Sequence, residues 1–240
     1  MLSRALQRET PRGDASMILR NSRMWAALRQ RGLRAAGLAL PACTAVAACS
    51  NSPPPPPDTY VNATLGPARD ANNNNLCSFS SQKSALAIGV VDMNSGAAKT
   101  PLPQADGSSQ AGAGVNVQCS VTGGFDVSLE AVLAPSSANG GGSLVISGHV
   151  DPDNGGSSIT SSLNSQDVGG NFGSSACTIT FKYLGGSIPT SPAITAGRIW
   201  AHLSCPTMQS TDLKSVMIGT TQVVETCDVE ADFLFENCAQ

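Results

Sequence analysis

The chain has 240 residues, of which 13% are charged and 4% aromatic, with a formal net charge of −3. Fourteen Lys and Arg against seventeen Asp and Glu exclude nucleic acid as a partner, since phosphate neutralisation needs an excess of clustered cations. One apolar run is long enough to consider as a membrane segment, and no second one follows it, which excludes a polytopic membrane protein.

That run comes first in chain order. Arg20, Arg23, Arg29, Arg31 and Arg34 precede an apolar segment, 35–48, interrupted only by Gly37, Pro41 and Thr44. At about fourteen residues it is shorter than the roughly 20 needed to span a bilayer. A basic region, an apolar region and small residues at a cut site are the parts of a secretory signal. The segment closes on Val46-Ala47-Ala48-Cys49, and Pro53 to Pro57 follow at once. In this order the chain resembles bacterial lipoproteins, whose signal peptide ends in a lipobox. The resemblance implies residues 1–48 as signal peptide and cleavage before Cys49. It further implies acyl chains such as palmitate on the Cys49 thiol and a place in the cell envelope. Two or more acyl chains suffice for stable anchoring. Ser50, where Asp is lacking, points to the outer membrane. The resemblance covers the first fifth of the chain and carries no ligand or activity to the rest.

Cys43 is the competing lipid site. It leaves an apolar region of only about eight residues, places Pro41 inside the recognition pattern and strands Cys49 as an odd thiol. With Cys49 lipidated, an even set remains: Cys77, Cys119, Cys177, Cys205, Cys227 and Cys238. Glu9 and Asp14 are unusual in a signal and point to Met17 or Met24 as the start.

From Cys49 onward there are six basic and fifteen acidic side chains, a net charge of −9. Such a surface repels anionic headgroups, so membrane contact is expected through the lipid alone. Residues 49–75 read as a lipid-anchored linker. Its five prolines favour an extended polyproline rod of about 3.1 Å per residue, and Asn72 to Asn75, with no apolar periodicity, read as disordered. Residues 76–240 read as one domain. Six cysteines in an exported domain read as three disulfides. Zinc would need close pairs of the C-x-x-C kind, and the nearest pair, Cys227 and Cys238, is eleven residues apart.

Beyond Cys77 the pattern alternates with period two. Val115, Val117, Cys119 and Val121 share one face; Phe125, Val127, Leu129, Ala131 and Leu133 follow after Gly123-Gly124, a hairpin signal. Runs at 144–150, 177–183, 199–205 and 229–235 repeat the alternation, with turn-rich stretches at 135–142, 152–158, 169–175 and 185–192. Half-buried antiparallel strands give this signature, and their apolar faces must hide against each other. The expected fold is all-β, an antiparallel β-sandwich, jelly-roll or immunoglobulin-like, stapled by disulfides. Only 205–217 reads as a short helix. If 177–183 and 199–205 form a hairpin, Cys177 falls nearly opposite Cys205, within disulfide reach; Cys205–Cys227 is the rival pairing.

No constellation names a reaction. Asp151-Pro152-Asp153-Asn154-Gly155-Gly156 opens like a calcium loop, but Gly155 and Ser162 stand where that loop needs ligands, and a turn explains the same residues. His149 and His202 are the only histidines, His149 reading as a surface residue, and no G-x-S-x-G elbow accompanies either. Asp228, Glu230, Asp232 and Glu236 share one face of the last strand and read as a solvated row. Arg198, Trp200 and His202 line the outer face of theirs, the arrangement of a platform for a sugar ring or a partner protein, unless a loop covers Trp200. No catalytic residue, metal or cofactor is expected. The reading is a non-catalytic binding or structural lipoprotein with a protein or glycan partner. The alternative is an envelope hydrolase, carbohydrate-active or an esterase, whose site is assembled by folding.

Overall fold

Period-two alternation becomes strand throughout the computed structural model, which describes residues 53–92, 100–137, 140–183, 186–187 and 192–240. The segment read as a signal peptide, with Cys43 and Cys49, and most of the turn at 185–192 lie outside the described residues. Among the described residues no helix is long and apolar enough to cross a membrane.

The strands in chain order are β1 (Asp58–Pro67), β2 (Lys83–Ile88), β3 (Val90–Asp92), β4 (Thr100–Leu102), β5 (Gln104–Ala105) and β6 (Ser109–Gln110). Then come β7 (Ala113–Val121), β8 (Asp126–Leu133), β9 (Gly142–His149), β10 (Gly156–Ser165), β11 (Gly170–Thr180), β12 (Lys182–Tyr183) and β13 (Gly186–Ser187). The last are β14 (Ile194–Thr195), β15 (Arg198–Ser210), β16 (Ser215–Ile218), β17 (Thr221–Val224) and β18 (Thr226–Glu236). One antiparallel sheet runs β2-β1-β18-β15-β11-β10-β9-β8-β7-β6, with β5 on β1 and β14 on β15.

From β7 to β11 every strand lies beside its successor, a next-neighbour meander. The sheet then curls. β5 pairs with β1 at Asp58 and Ala105, and just beyond it Gly107 N–H donates to Val115 O while Val115 N–H donates to Ser108 O. First strand and β7 are thus stitched through a short segment, giving the nearly closed barrel or sandwich shape. Inward positions fill it with Leu65, Leu129, Leu144, Ile146, Ile159, Phe233 and Phe235, none more than 1% exposed.

Three disulfides staple this shell: Cys77–Cys227, Cys119–Cys238 and Cys177–Cys205. The hairpin register places Thr178 opposite Ser204, which brings Cys177 against Cys205 as the alternation requires; the rival Cys205–Cys227 pairing does not form. Cys119–Cys238 ties β7 to the tail after β18. There Ala239 N–H donates to Cys119 O and Val121 N–H to Ala239 O.

Three expectations are corrected. The linker does not extend to residue 75: β1 occupies 58–67 and lies between β2 and β18 in the sheet. Thr59 within it is fully buried, its hydroxyl donating to Leu234 O. Asn72 to Asn75 form a tight turn around Asp70, whose carboxylate accepts the N–H groups of Asn72 and Asn74. The helix at 205–217 is instead the end of β15 and the start of β16. Pro206, which lacks an N–H, falls in the register shift between Cys205 and Met208.

Candidate functional site

The outer face of β1, β18 and β15 gathers most of the polar groups singled out in the sequence. Register sets them in rows across the strands: Trp200 opposite Leu234 and Tyr60, His202 opposite Asp232 and Asn62, Ser204 opposite Glu230 and Thr64. At the end of the sheet Arg198 Nε donates to Glu236 Oε1 at 2.6 Å. Arg198, Trp200 and His202 therefore share one face, as their alternation predicts.

That face is not an open platform. Trp200 is 2% exposed and packs with Tyr60 and Leu234, with Val91 of β3 against them. The covering segment is β3, too short to stand out in the sequence. Stacking on a sugar needs a free ring face, so Trp200 is structural. We expect Trp200→Ala to lower the unfolding free energy by about 3–5 kcal/mol, read as a shift in the urea midpoint.

The acidic row is likewise not a solvated face. Asp232 is 5% exposed and His202 8%. His202 Nδ1–H donates to Asp232 Oδ1 at 2.8 Å and Nε2–H to Glu230 Oε2 at 2.5 Å, while Ser204 Oγ–H donates to Glu230 Oε1 at 2.8 Å. Burial by itself pulls the imidazole pKa down. The hydrogen bonds and charges of Asp232 and Glu230 outweigh it and carry the pKa to about 9. His202 is thus an imidazolium at neutral pH, held between two carboxylates. For Glu230, burial raises the pKa, but the hydrogen bonds from His202 and Ser204 prevail and hold it below the ordinary value. Burial, with Glu230 nearby, pushes Asp228 up.

Chemically this cluster is saturated. A general base needs a free ring nitrogen, and both nitrogens of His202 are donating. Ser204 Oγ–H donates to Glu230, a carboxylate that the bonds from His202 and Ser204 hold in its ionised form and so make a weaker base. His149, by contrast, is exposed, with Nδ1 3.0 Å from Asp126 Oδ1. The Asp151 loop closes on itself: its carboxylate accepts the N–H groups of Asp153 and Asn154, and these bonds depress its pKa. Gly155 completes the turn at φ +80°, where an added Cβ would lie 2.1 Å from Ile179 O. This is the turn reading, with the carboxylate occupied by its own loop.

Cys77, Glu225 and Cys227 also converge. The two sulfurs are bonded to each other and carry no thiolate charge for a metal; Glu225 Oε1 accepts the Ser78 N–H.

One groove of about 520 Å³ opens on the outer face of β10, β11 and β15, lined by hydroxyls of Thr160, Ser162, Ser174, Ser175 and Thr207 and by Gln209. It lies where β11 and β15 part, between the pairs Gly173–Gln209 and Thr178–Ser204. No pattern of residues marks it, because isolated serines on an outward face look like ordinary surface. The fold and these surfaces define a disulfide-stapled, all-β, antiparallel domain. No protein-family model, curated protein or solved structure matches the chain.

Proposed function

We propose that the chain is a cell-envelope lipoprotein, anchored through acyl chains on Cys49 and displaying a non-catalytic β domain that binds a protein or glycan or serves structurally. The observation that carries this reading is the pairing of all six cysteines downstream of Cys49 into three disulfides. Such bonds persist in oxidising compartments outside the cytosol, where a signal of this kind would deliver the chain. The prolines before β1 support it too, since Pro53 to Pro56 are exposed and form a spacer. Sorting to the outer membrane follows from Ser50 in the same reading.

A non-catalytic role is supported by the chemistry of the His202 cluster, in which every proton already has a carboxylate partner. The esterase form of the hydrolase alternative would need a histidine with a free nitrogen beside a hydroxyl, and both ring nitrogens of His202 already face carboxylates. For a binding role, the uncharged groove between β11 and β15 offers hydroxyl and amide groups to a neutral polar ligand.

Feeding cells an alkyne-tagged fatty acid tests the anchor. The wild-type chain and Cys43→Ser should take up label, whereas Cys49→Ser should take up none. Label retained by Cys49→Ser would overturn the reading.

A further inference from the structure

The connection between β15 and β18 leaves the sheet as a two-stranded arm, β16 against β17, paired without a register shift from Ser215–Val224 to Ile218–Thr221. Residues 215–224 carry no charged side chain. Leu213 at the base is 84% exposed, Met217 63% and Val224 46%. A lone two-stranded hairpin is marginal in water, and an exposed flat strand edge is a template for another strand. Edges of this kind are ordinarily guarded by Lys, Pro or a bulge, and 215–224 has none of these.

We propose that this arm is a self-association element, pairing edge to edge with the arm of a second copy of the chain. Charge selects the occupant. From Cys49 onward the chain has a net charge of −9, so two copies repel wherever their acidic surfaces meet. The arm is an uncharged surface on which a copy can approach without like charges in contact, and a partner recognised by its charge would find nothing to read along it. Position agrees. β1 begins at the end where Asp58 pairs with Glu236, and the arm springs from the other end, where Met208 pairs with Cys227. A β1 of ten residues separates the two ends by roughly 33 Å at about 3.3 Å per residue. An arm this small buries less than the roughly 800 Å² per partner of a stable interface. Pairing therefore relies on copies concentrated on one membrane, and in this respect it rests on the anchor proposed above.

The test places a photo-crosslinking phenylalanine analogue at Met217 of the full chain in intact cells, with membrane fractionation of the same sample. A crosslinked species of twice the monomer mass, containing only this chain, is expected, and Val224→Lys should cut its yield about tenfold. Leu213→Ser, at the most exposed position, is a second variant that leaves the ladder intact and should also reduce it. Membrane-bound protein with no crosslink, or crosslinked only to another protein, overturns the arm proposal and leaves the anchor standing. If the chain fractionates as soluble, the anchor fails. The purified full chain at about 1 mM, near the concentration tethering would supply, then decides: a dimer in sedimentation sustains the arm, and a monomer overturns it.

Discussion

Replacing Cys119 and Cys238 together by alanine is expected to lower the unfolding free energy by about 5 kcal/mol. The bridge spans 119 residues, and in the chain-entropy picture closing a loop of that length in the unfolded state is worth about this much. Its place in the fold adds to the effect. The bridge joins β7, where the meander begins, to the tail beyond β18, the last strand of the chain. Around it Ala239 N–H donates to Cys119 O, Val121 N–H to Ala239 O and Gly197 N–H to Val121 O. Without the sulfur link, β7 and the tail are joined at this point by backbone bonds of this kind. A domain of this size has a total stability of about 5–15 kcal/mol, so the loss takes a large share of it. Cys177–Cys205, with a separation of 28, should contribute less, about 3–4 kcal/mol. Urea unfolding of the two paired variants checks both numbers. A Cys119/Cys238 variant within about 1 kcal/mol of wild type would show that the seam needs no staple.

The second large effect is expected at His202. Its leucine substitution removes the cation between Asp232 and Glu230 and leaves two carboxylates facing each other, with Asp232 5% exposed. Removing one partner of a buried pair typically costs 3–5 kcal/mol; with Glu230 in partial contact with water, about 3 kcal/mol is expected at pH 7. The wild-type pH profile has a defined sign. The folded-state pKa of His202, about 9, lies above its ordinary 6.5. Its stabilisation is therefore complete below about pH 6.5, fades as the pH rises and is gone above about pH 9. Glu230, whose pKa is depressed, stabilises above its ordinary value of 4.5 and loses this as the pH falls through its folded value. The urea midpoint of the wild type should therefore decline between pH 6.5 and 9.5, and His202→Leu should flatten that slope. An unchanged slope in the variant would mean that another group sets it.

Legibility followed the side chains that face inward. β7, β8, β9, β15 and β18 carry Val, Ile, Leu, Ala or Phe at alternate positions, and each was visible as a period-two run. β10 was not, because two of its inward residues are serines. Ser161 and Ser165 are 2% and 1% exposed, their hydroxyls donating to Val145 O and Ala85 O. A hydroxyl satisfied by a backbone carbonyl packs as core yet breaks the apolar alternation. β1 was hidden in the same way by Thr59, and by the five prolines before it, which drew the boundary too far along the chain. The Cys177–Cys205 bridge was legible because hairpin register alone fixes it. Cys77–Cys227 and Cys119–Cys238 were not, since they depend on how the sheet closes. At the site, Arg198, Trp200 and His202 were rightly grouped on one face. Their surroundings were missed because the strands that supply Glu236, Leu234, Asp232 and Glu230 had not been paired with them. Once β15 and β18 are set antiparallel, Arg198, His202 and Ser204 meet Glu236, Asp232 and Glu230 row by row, so that Asp232 is a buried partner and Glu230 and Glu236 are half-buried ones.

Export with anchoring is decided by the mass of the native chain taken from cell membranes, with free thiols alkylated before any reduction. The expected result is a first residue of Cys49 bearing acyl chains, and no alkylation at Cys77, Cys119, Cys177, Cys205, Cys227 or Cys238. A chain recovered from the cytosol with these six thiols alkylated would contradict it.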